Sequence, residues 1–342
     1  MKQKSTEIRE FLSSPYFPYI AGATALGLCA AVPAAAAWLF LHPPRAFNRT
    51  NPRAGRGLPY DRVRFTSADG TRIRAWHIPA PTETRPRGIV IVCHGYTGNR
   101  ATMLPYADFL HHAGYVTLLP EFRAHGWSGG SRISFGIGES LDLRAAIEWV
   151  QGHEELRHLP LILLGESMGA AVVLLVAAEI PGVCAVIADS PYARFDIAVE
   201  GRFITMMGEK VGPRVAPFVR RIGERMLGIR SEDIAPELVV GRVAPRPVLL
   251  IQGLADRLIH PRNAHRILNA APGNVTLWEV PDADHVMSVY LVKEEYARRV
   301  LAFLDDVLGD SSAECSCPPE PGDRDEIQIS ETARSIMLRA TD

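Results

Sequence analysis

The sequence predicts an α/β protein built around a mostly parallel, eight-stranded sheet that is flanked by helices. Short, continuous apolar runs recur through the middle of the chain, which is typical of parallel strands buried on both faces. Segments of helical character separate most of these runs, and this alternation indicates right-handed strand–helix–strand crossovers. The runs cover residues 63–66, 73–78, 89–93, 115–119, 161–164, 183–188, 248–251 and 275–280.

Composition is typical of a folded protein. The 342 residues include 47% apolar and 22% charged residues, which excludes a wholly disordered chain. The net charge of -1 gives no support to nucleic-acid binding, which requires a clearly basic domain. Five scattered cysteines are too few for a disulfide-stapled fold, and the pair Cys315 and Cys317 is too sparse for a metal site.

Three segments of different character make up the chain. We expect an N-terminal segment over residues 1–57, a central domain over 58–309, whose motifs below make it the candidate catalytic domain, and a tail over 310–342. The tail holds eight acidic residues against three arginines and contains a proline-rich stretch, so we expect it to be disordered.

An uncharged apolar run within the first segment, residues 17–41, is long enough to cross a membrane as one helix. Aromatic residues lie at both of its ends, where an interfacial belt would place them. The run therefore predicts a single-pass membrane anchor and a membrane location. The alternatives are a signal peptide cleaved near residues 33–37 and a buried helix, but a cleaved peptide would not continue into the apolar residues 38–41.

Basic residues flank this run on both sides and leave its orientation open. Those that follow it are Arg45, Arg49, Arg53 and Arg56. This cluster favours a cytoplasmic domain near anionic lipid headgroups, whereas a solvated linker would also account for it.

Two parts of the catalytic domain depart from simple strand–helix alternation. Residues 63–66 and 73–78 flank Ala68-Asp69-Gly70 and read as a β-hairpin. Residues 194–242 are longer than one crossover helix requires, and they mix apolar and basic side chains. We interpret this insertion as a helical cap over the active site, with an enlarged crossover as the alternative.

Ser167 is the candidate nucleophile. It lies in Gly165-Glu166-Ser167-Met168-Gly169, directly after an apolar strand and before a helix-forming run. This G-x-S-x-G context predicts a tight turn in which the glycines give the serine the space it needs.

The oxyanion hole is predicted from two backbone N–H groups. One belongs to Met168, at the start of the helix that follows the serine. The other belongs to Tyr96, in the loop Cys93-His94-Gly95-Tyr96-Thr97-Gly98 that closes an earlier strand. His94 is interpreted as a structural residue that holds this loop.

The base should follow the serine if the order is Ser, acid, His. Three histidines do so: His260 lies near Asp256, His265 falls in a predicted helix, and His285 lies in a loop after the last strand. His285 is the preferred base because that loop belongs to the carboxyl edge of the sheet.

Asp256 is the preferred acid, since it lies in the loop after the buried strand 248–251 and could orient an imidazole there. Asp189, at the end of the preceding strand, is the main competitor. Asp284 is adjacent to His285 in the chain, which makes a side-chain bridge between them unfavourable.

Together these motifs resemble the α/β-hydrolase superfamily, in particular bacterial serine-aminopeptidase-like hydrolases and esterases or thioesterases. The resemblance covers roughly residues 60–308. The segment Glu121-Phe122-Arg123-Ala124-His125-Gly126-Trp127-Ser128 also fits, although the family usually has Asp at Glu121 and Gly at Ala124.

The resemblance implies hydrolysis in two steps through an acyl-enzyme, without a metal or organic cofactor. We expect a membrane-anchored hydrolase of carboxylic esters or thioesters whose small-molecule acyl substrate is lipid-like. A peptidase or amidase is the alternative enzyme. A binding protein that has kept the fold without its activity is the alternative outside catalysis.

Overall fold

The computed structural model describes residues 14–310, apart from the side chains of residues 18, 20–30 and 310. The acidic tail, residues 311–342, lies outside the described residues. Its disorder therefore stays a prediction.

Eight strands in the described part of the chain form one sheet, in the order β1-β2-β4-β3-β5-β6-β7-β8. Each of the eight apolar runs lies within, or overlaps, one of these strands. The strands are β1 (Asp61–Thr66), β2 (Arg72–Ile78), β3 (Ile89–Cys93), β4 (Val116–Glu121), β5 (Leu161–Glu166), β6 (Val183–Asp189), β7 (Val248–Gly253) and β8 (Val275–Val280).

The sheet is mixed, which qualifies the prediction of a mostly parallel one. β1 pairs antiparallel with β2 as the predicted hairpin, and β2 also pairs antiparallel with β4. From β4 to β8 every neighbouring pair is parallel. Because parallel neighbours end at the same edge, the loops after β3, β5, β6, β7 and β8 meet there.

Helices cover both faces of the sheet in the described part of the chain. They are α1 (Phe17–Leu41), α2 (Pro52–Arg56), α3 (Leu104–His112), α4 (Ile137–Gln151), α5 (Met168–Ala177), α6 (Phe195–Leu227), α7 (Pro236–Val239), α8 (Arg262–Asn269), α9 (Ser288–Leu291) and α10 (Lys293–Asp310).

Successive side chains of the central strands pack into two separate cores. In β5, Leu163 packs with α4 and α5, whereas Leu164 packs with α3 and α10 on the opposite face. Every residue of β3 and β5 is buried. This two-sided burial explains why these strands read as continuous rather than alternating apolar runs.

The long insertion after β6 is helical. Helix α6 is broken at Gly208, whose φ of 78° and ψ of 165° are not helical. Beyond this turn, Gly212 packs so closely on the backbone of Phe203 and Ile204 that a Cβ there would collide with it. α6 therefore folds into a hairpin of two helical arms.

Helix α1 has the bounds of the predicted membrane span, but the span itself is not found. Within residues 14–310, none of the helices meets the length and hydropathy that crossing a membrane requires. The last turns of α1 pack on the domain: Ala37 and Leu41 are buried, and the Leu41 carbonyl accepts a hydrogen bond from Ile133 N (2.8 Å).

Candidate active site

Ser167 lies on a strained turn between β5 and α5. Its φ of 52° and ψ of -114° are unusual for a residue with a side chain, and such strain is typical of a nucleophile elbow. A Cβ at Gly165 would collide with the Gly169 backbone, and one at Gly169 would collide with the Cys93 carbonyl. The two glycines of the motif therefore allow β5, α5 and the loop after β3 to pack in contact.

Ser167, His285 and Asp256 form one chain of hydrogen bonds. The Nε2 atom of His285 lies 2.8 Å from the Ser167 hydroxyl oxygen, and its Nδ1 atom lies 2.7 Å from Asp256 Oδ2. The structure thus brings together the three residues selected from loops after β5, β7 and β8. The arrangement allows Nδ1–H to donate to the carboxylate while Nε2 accepts the serine proton.

The Asp256 carboxylate is held from both of its oxygens. Oδ1 accepts hydrogen bonds from the backbone N–H groups of Leu258 (2.9 Å) and Ile259 (2.7 Å). Oδ2 accepts one from Gln252 Nε2 (3.2 Å), in addition to that from His285. Asp256 is 2% exposed, so these four donors fix the orientation of a buried carboxylate.

The competing acids have other partners. Exposed Asp284 accepts hydrogen bonds from the backbone N–H groups of His285 (2.8 Å) and Arg257 (3.3 Å), so it shapes the loop that carries the histidine. Asp189 is fully buried and accepts hydrogen bonds from Ser190 Oγ and Tyr296 OH, both at 2.9 Å.

The other candidate histidines also lie outside the hydrogen-bond chain. His265 pairs with Glu279 (3.0 Å), and His260 Nδ1 accepts from Arg262 N (3.2 Å). His94 is fully buried, and burial lowers its pKa well below the usual range, with neighbouring His125 adding to the effect. Neutral His94 accepts from Phe122 N (3.0 Å) at Nε2 and donates to the Gly95 carbonyl (2.8 Å) at Nδ1.

Both predicted oxyanion donors belong to segments that lie next to the serine. Met168 is the first residue of α5, where backbone N–H groups have no acceptor within the helix. Gly95 lies in the loop of Tyr96, and a Cβ there would be 3.1 Å from the Ser167 Cβ, so this loop runs directly beside the nucleophile.

A second chain of polar groups lies beneath the nucleophile, and the sequence reasoning missed it. Glu166 Oε1 accepts from Gly95 N (3.4 Å), and Tyr106 OH lies 3.3 Å from Glu166 Oε2 and 3.5 Å from Asp189 Oδ2. Burial raises the pKa of Glu166 to about 7 and that of Asp189 to about 6, and their mutual repulsion adds to the rise at Glu166. The signal available in the sequence was a carboxylate at the end of each of two fully buried strands.

Aromatic side chains form a wall beside the oxyanion loop. The Phe40 ring, from the end of α1, stacks on Phe135 at 4.6 Å and lies 5.3 Å from Tyr96. Tyr96 and Phe135 stack at 5.0 Å, and the Phe40 carbonyl accepts a hydrogen bond from the Tyr96 hydroxyl (2.9 Å). Burial raises the Tyr96 pKa to about 12, so this hydroxyl keeps its proton. Sequence reasoning treated α1 as a tether and missed this contact.

The helical insertion lies against the same site. Phe203 of α6 is 6.5 Å from Phe40, and Phe195 is 5.1 Å from Phe135, measured between ring centres. The Thr205 hydroxyl, which donates to the Gly201 carbonyl (2.9 Å), also lies 3.3 Å from the carbonyl of Arg257, the residue next to Asp256. α6 thus contacts both the aromatic wall and the loop that carries the acid.

Comparison with known proteins gives a consistent family. Residues 84–239 match the family model described as serine aminopeptidase, S33. The chain is 30% identical to the uncharacterized protein YqkD of Bacillus subtilis over 245 residues, which cover 70% of this chain and 78% of that protein. It is 33% identical to the uncharacterized protein Rv2307c of Mycobacterium tuberculosis over 237 residues, 68% and 75% of the two chains.

A solved structure extends the comparison to three dimensions. The esterase Pf2001 of Pyrococcus furiosus is similar to this chain with a TM-score of 0.65 and 29% sequence identity. The match covers 78% of this chain and 98% of the esterase. It therefore includes almost all of a known esterase domain.

Proposed function

The chain belongs to the α/β-hydrolase superfamily, in the family described as serine aminopeptidase S33, and on that premise we propose that it hydrolyses a carboxylic ester or thioester with Ser167 as nucleophile. The observation that carries this proposal is the chain of hydrogen bonds from Ser167 through His285 to Asp256. A serine hydroxyl becomes a nucleophile when a neighbouring base accepts its proton in the transition state.

The first half of the reaction forms an acyl-enzyme. His285 Nε2 takes the Ser167 proton as the oxygen attacks the substrate carbonyl, and Asp256 stabilises the imidazolium that results. The N–H groups of Tyr96 and Met168 donate to the developing oxyanion, for which each such donor typically contributes about 3 kcal/mol. His285 then gives the proton to the leaving oxygen or sulfur as the tetrahedral intermediate collapses.

The second half regenerates the enzyme. A water molecule gives a proton to His285 and attacks the acyl carbonyl, and the Ser167 oxygen leaves with the proton returned by the imidazolium. The products are the free acid and the resting enzyme, so the residues of this chain complete the cycle without a cofactor.

The aromatic wall supports an apolar acyl group as the substrate. Phe40, Tyr96, Phe135 and Phe203 lie beside the oxyanion loop, where the substrate carbonyl would bind. Burying each CH₂ group of an acyl chain against such a surface gains about 0.8 kcal/mol, which favours longer chains. The esterase Pf2001 supports an ester rather than an amide.

Peptide or amide hydrolysis is the second candidate function. The description of the matching family as a serine aminopeptidase favours it, and the same three residues can cleave an amide by the same steps. A binding protein without catalysis would have no need of a serine whose proton is hydrogen-bonded to a base.

We also propose that the protein works at a membrane surface, with α1 against the bilayer. Its support is a set of exposed apolar side chains on α1 and α6, two helices that pack together near the active site. These side chains are Val32, Trp38 and Leu39 of α1 and Met206, Met207, Val211 and Phe218 of α6.

A labelling and substrate experiment tests the proposed hydrolase. Full-length protein is treated with a fluorophosphonate probe and assayed with p-nitrophenyl esters of two to twelve carbons, acyl thioesters and aminoacyl p-nitroanilides. We expect labelling and ester turnover in the wild type and neither in Ser167→Ala. Ser131→Ala, which changes an exposed serine, is the matched control and should behave as the wild type.

The preferred substrate class distinguishes an esterase or thioesterase from a peptidase. Preference for esters or thioesters, with kcat/KM rising with chain length, would support the proposal. Faster cleavage of the aminoacyl anilides would favour the peptidase. Absence of turnover on every class, with no difference in labelling between wild type and Ser167→Ala, would refute a hydrolase.

A further inference from the structure

A basic cavity lies apart from the catalytic residues, against the outer β1–β2 hairpin. It has a volume of about 350 Å³, and residues 48–51 of the segment after α1 form part of its wall. Four arginines of the catalytic domain line it: Arg62 and Arg64 of β1, Arg74 of β2, and Arg100. We call the cavity lined by these four residues the arginine pocket.

A second cavity of about 420 Å³ adjoins it, and Arg64 and Arg74 line both. Arg45 and Arg72 extend the basic lining of the second cavity. In a chain whose net charge is -1, this region is therefore a local concentration of positive charge. Arginine keeps that charge at every physiological pH.

The positive charges of these arginines repel one another, and this repulsion opposes folding unless a bound anion neutralises it. Arg64 and Arg74 are direct cross-strand partners in the β1–β2 register. Like charges in such positions repel and are destabilising, whereas opposite charges would be stabilising. The pair therefore suits a site that is occupied by a negatively charged group.

Protein carboxylates supply little of this compensation. In the described part of the chain, one of these four arginines pairs with a carboxylate, Arg100 with Glu121 at 3.7 Å. Burial lowers the Arg100 pKa, and the positive charges of Arg74 and Arg62 lower it further. Arg100 also lies 4.5 Å above the Trp76 ring, which fixes its guanidinium in place.

The position of the pocket connects it to the end of α1. Arg45 donates hydrogen bonds to the carbonyls of Gly126 (3.2 Å) and Ser128 (2.6 Å), so the segment after α1 is fastened to the loop that carries Trp127. Trp127 lines both cavities, is 53% exposed and packs on Phe47 at 4.9 Å. An exposed tryptophan beside arginines is the composition of a surface that meets lipid headgroups.

We propose that the arginine pocket binds a phosphate group, and that this phosphate is presented by an anionic lipid headgroup. Arginine pairs with phosphate through two parallel N–H···O bonds, and several arginines around one cavity fit a doubly charged phosphomonoester. Free phosphate shares this chemistry and is the alternative source. The pocket does not depend on the proposed ester hydrolysis, since none of its lining residues takes part in that reaction.

Ligand binding to the full-length protein in non-ionic detergent tests the proposal. The probes are dioctanoyl phosphatidic acid, inorganic phosphate and dioctanoyl phosphatidylcholine, followed by tryptophan fluorescence and by the thermal midpoint. We compare Arg64→Gln/Arg74→Gln with Arg242→Gln/Arg262→Gln, which removes two exposed arginines outside the pocket. Arg64→Gln alone serves if the pocket double variant does not fold.

We expect phosphatidic acid to bind saturably and to raise the thermal midpoint of the wild type. Affinity should fall at least tenfold in the pocket variant and less than twofold in the control, and it should weaken with added NaCl. Tighter binding of phosphatidic acid than of inorganic phosphate would identify the headgroup as the source, and equal binding would identify free phosphate.

Four results would overturn the site, three of them with the phosphate probes. Those three are no saturable binding of either phosphate probe, unchanged binding by the pocket variant, or an equal loss in both double variants. Binding of phosphatidylcholine as tight as that of phosphatidic acid would also overturn it, because the neutral lipid lacks the charge that the pocket requires. Ester turnover, measured alongside, should be retained in the pocket variant and reports separately on the proposed function.

Discussion

Replacing Asp256 by Asn should disable the site through the protonation of His285 rather than through its position. In the wild type, Oδ1 accepts from the backbone N–H groups of Leu258 and Ile259, and Oδ2 faces His285 and Gln252. The Asn side chain keeps one oxygen acceptor and gains an NH₂ donor. The orientation of this amide therefore decides whether His285 faces an acceptor or a donor.

The two backbone donors select that orientation. If the Asn oxygen faces Leu258 N and Ile259 N, both hydrogen bonds are kept. If the NH₂ group faces them instead, two buried donors lose their acceptor, at about 1–3 kcal/mol each. The NH₂ group is therefore directed at His285 Nδ1 and at Gln252, which both donate to this position in the wild type. The Gln252 amide must then turn its oxygen towards the NH₂ group, and His285 Nδ1 must become an acceptor, so the remaining imidazole proton moves to Nε2.

The cost follows from these two changes. Nε2–H cannot accept the Ser167 proton, and restoring the productive tautomer costs about 1–2 kcal/mol. Loss of the charge-assisted bond to the imidazolium costs a further 1.5–3 kcal/mol or so. Together they amount to about 3–5 kcal/mol, which is roughly a 200- to 5,000-fold loss in kcat/KM.

Steady-state hydrolysis of p-nitrophenyl butyrate by Asp256→Asn, with Asp284→Asn as control, measures this loss. The exposed Asp284 carboxylate accepts from the backbone N–H groups of His285 and Arg257 through Oδ1, and an Asn oxygen can accept both. We expect the control to keep kcat/KM within about threefold. A loss below tenfold in Asp256→Asn, or an equal loss in the two variants, would refute the reasoning.

Three further changes probe the surroundings of the site. Burial raises the folded-state pKa of Glu166 to about 7, against 4.5 unfolded, so its ionisation opposes folding increasingly as the pH rises from about 4.5 to 7. Glu166→Gln should remove that loss, so urea unfolding should show a gain in unfolding free energy that is larger at pH 8 than at pH 5 by roughly 1–3 kcal/mol. An equal effect at both pH values would contradict this. Phe40→Ala removes a ring that stacks on Phe135, and it should lower kcat/KM about two- to tenfold for dodecanoyl esters but not for acetyl esters. Equal losses on both esters would contradict the proposal that the aromatic wall binds the acyl chain. Gly169→Ala places a Cβ against the Cys93 carbonyl and should cost at least about 1–3 kcal/mol of unfolding free energy in urea, and an unchanged midpoint would exclude that collision.

Much of the fold and of the candidate site could be predicted from local sequence. Strands β3 and β5 were readable because both of their faces are buried, which leaves an uninterrupted apolar run. Ser167 was identifiable because the tight turn imposes glycines two positions to either side. His285 and Asp256 followed from a further rule, that loops after parallel strands meet at one edge of the sheet.

What the sequence could not supply depends on contacts between distant segments. Nothing local to β2 indicates that it pairs antiparallel with β4 rather than with β3. Phe40 reads as one more apolar residue of a membrane span until the Tyr96 hydroxyl is seen to donate to its carbonyl. Glu166 occupies the variable position of the serine motif, so the sequence gives it no special role. Its raised pKa follows from burial and from Asp189, which lies at the end of the neighbouring strand β6.

Trapping the acyl-enzyme tests whether Ser167 is the nucleophile. Full-length wild type and Ser167→Ala are mixed with a p-nitrophenyl ester, quenched in acid within milliseconds, and examined by intact-protein and peptide mass spectrometry. We expect one acyl group per wild-type chain, carried by Ser167 in the peptide that contains Gly165 and Gly169, and none in the variant. Ester turnover by Ser167→Ala at the wild-type rate, or an acyl group on any other residue, would contradict it.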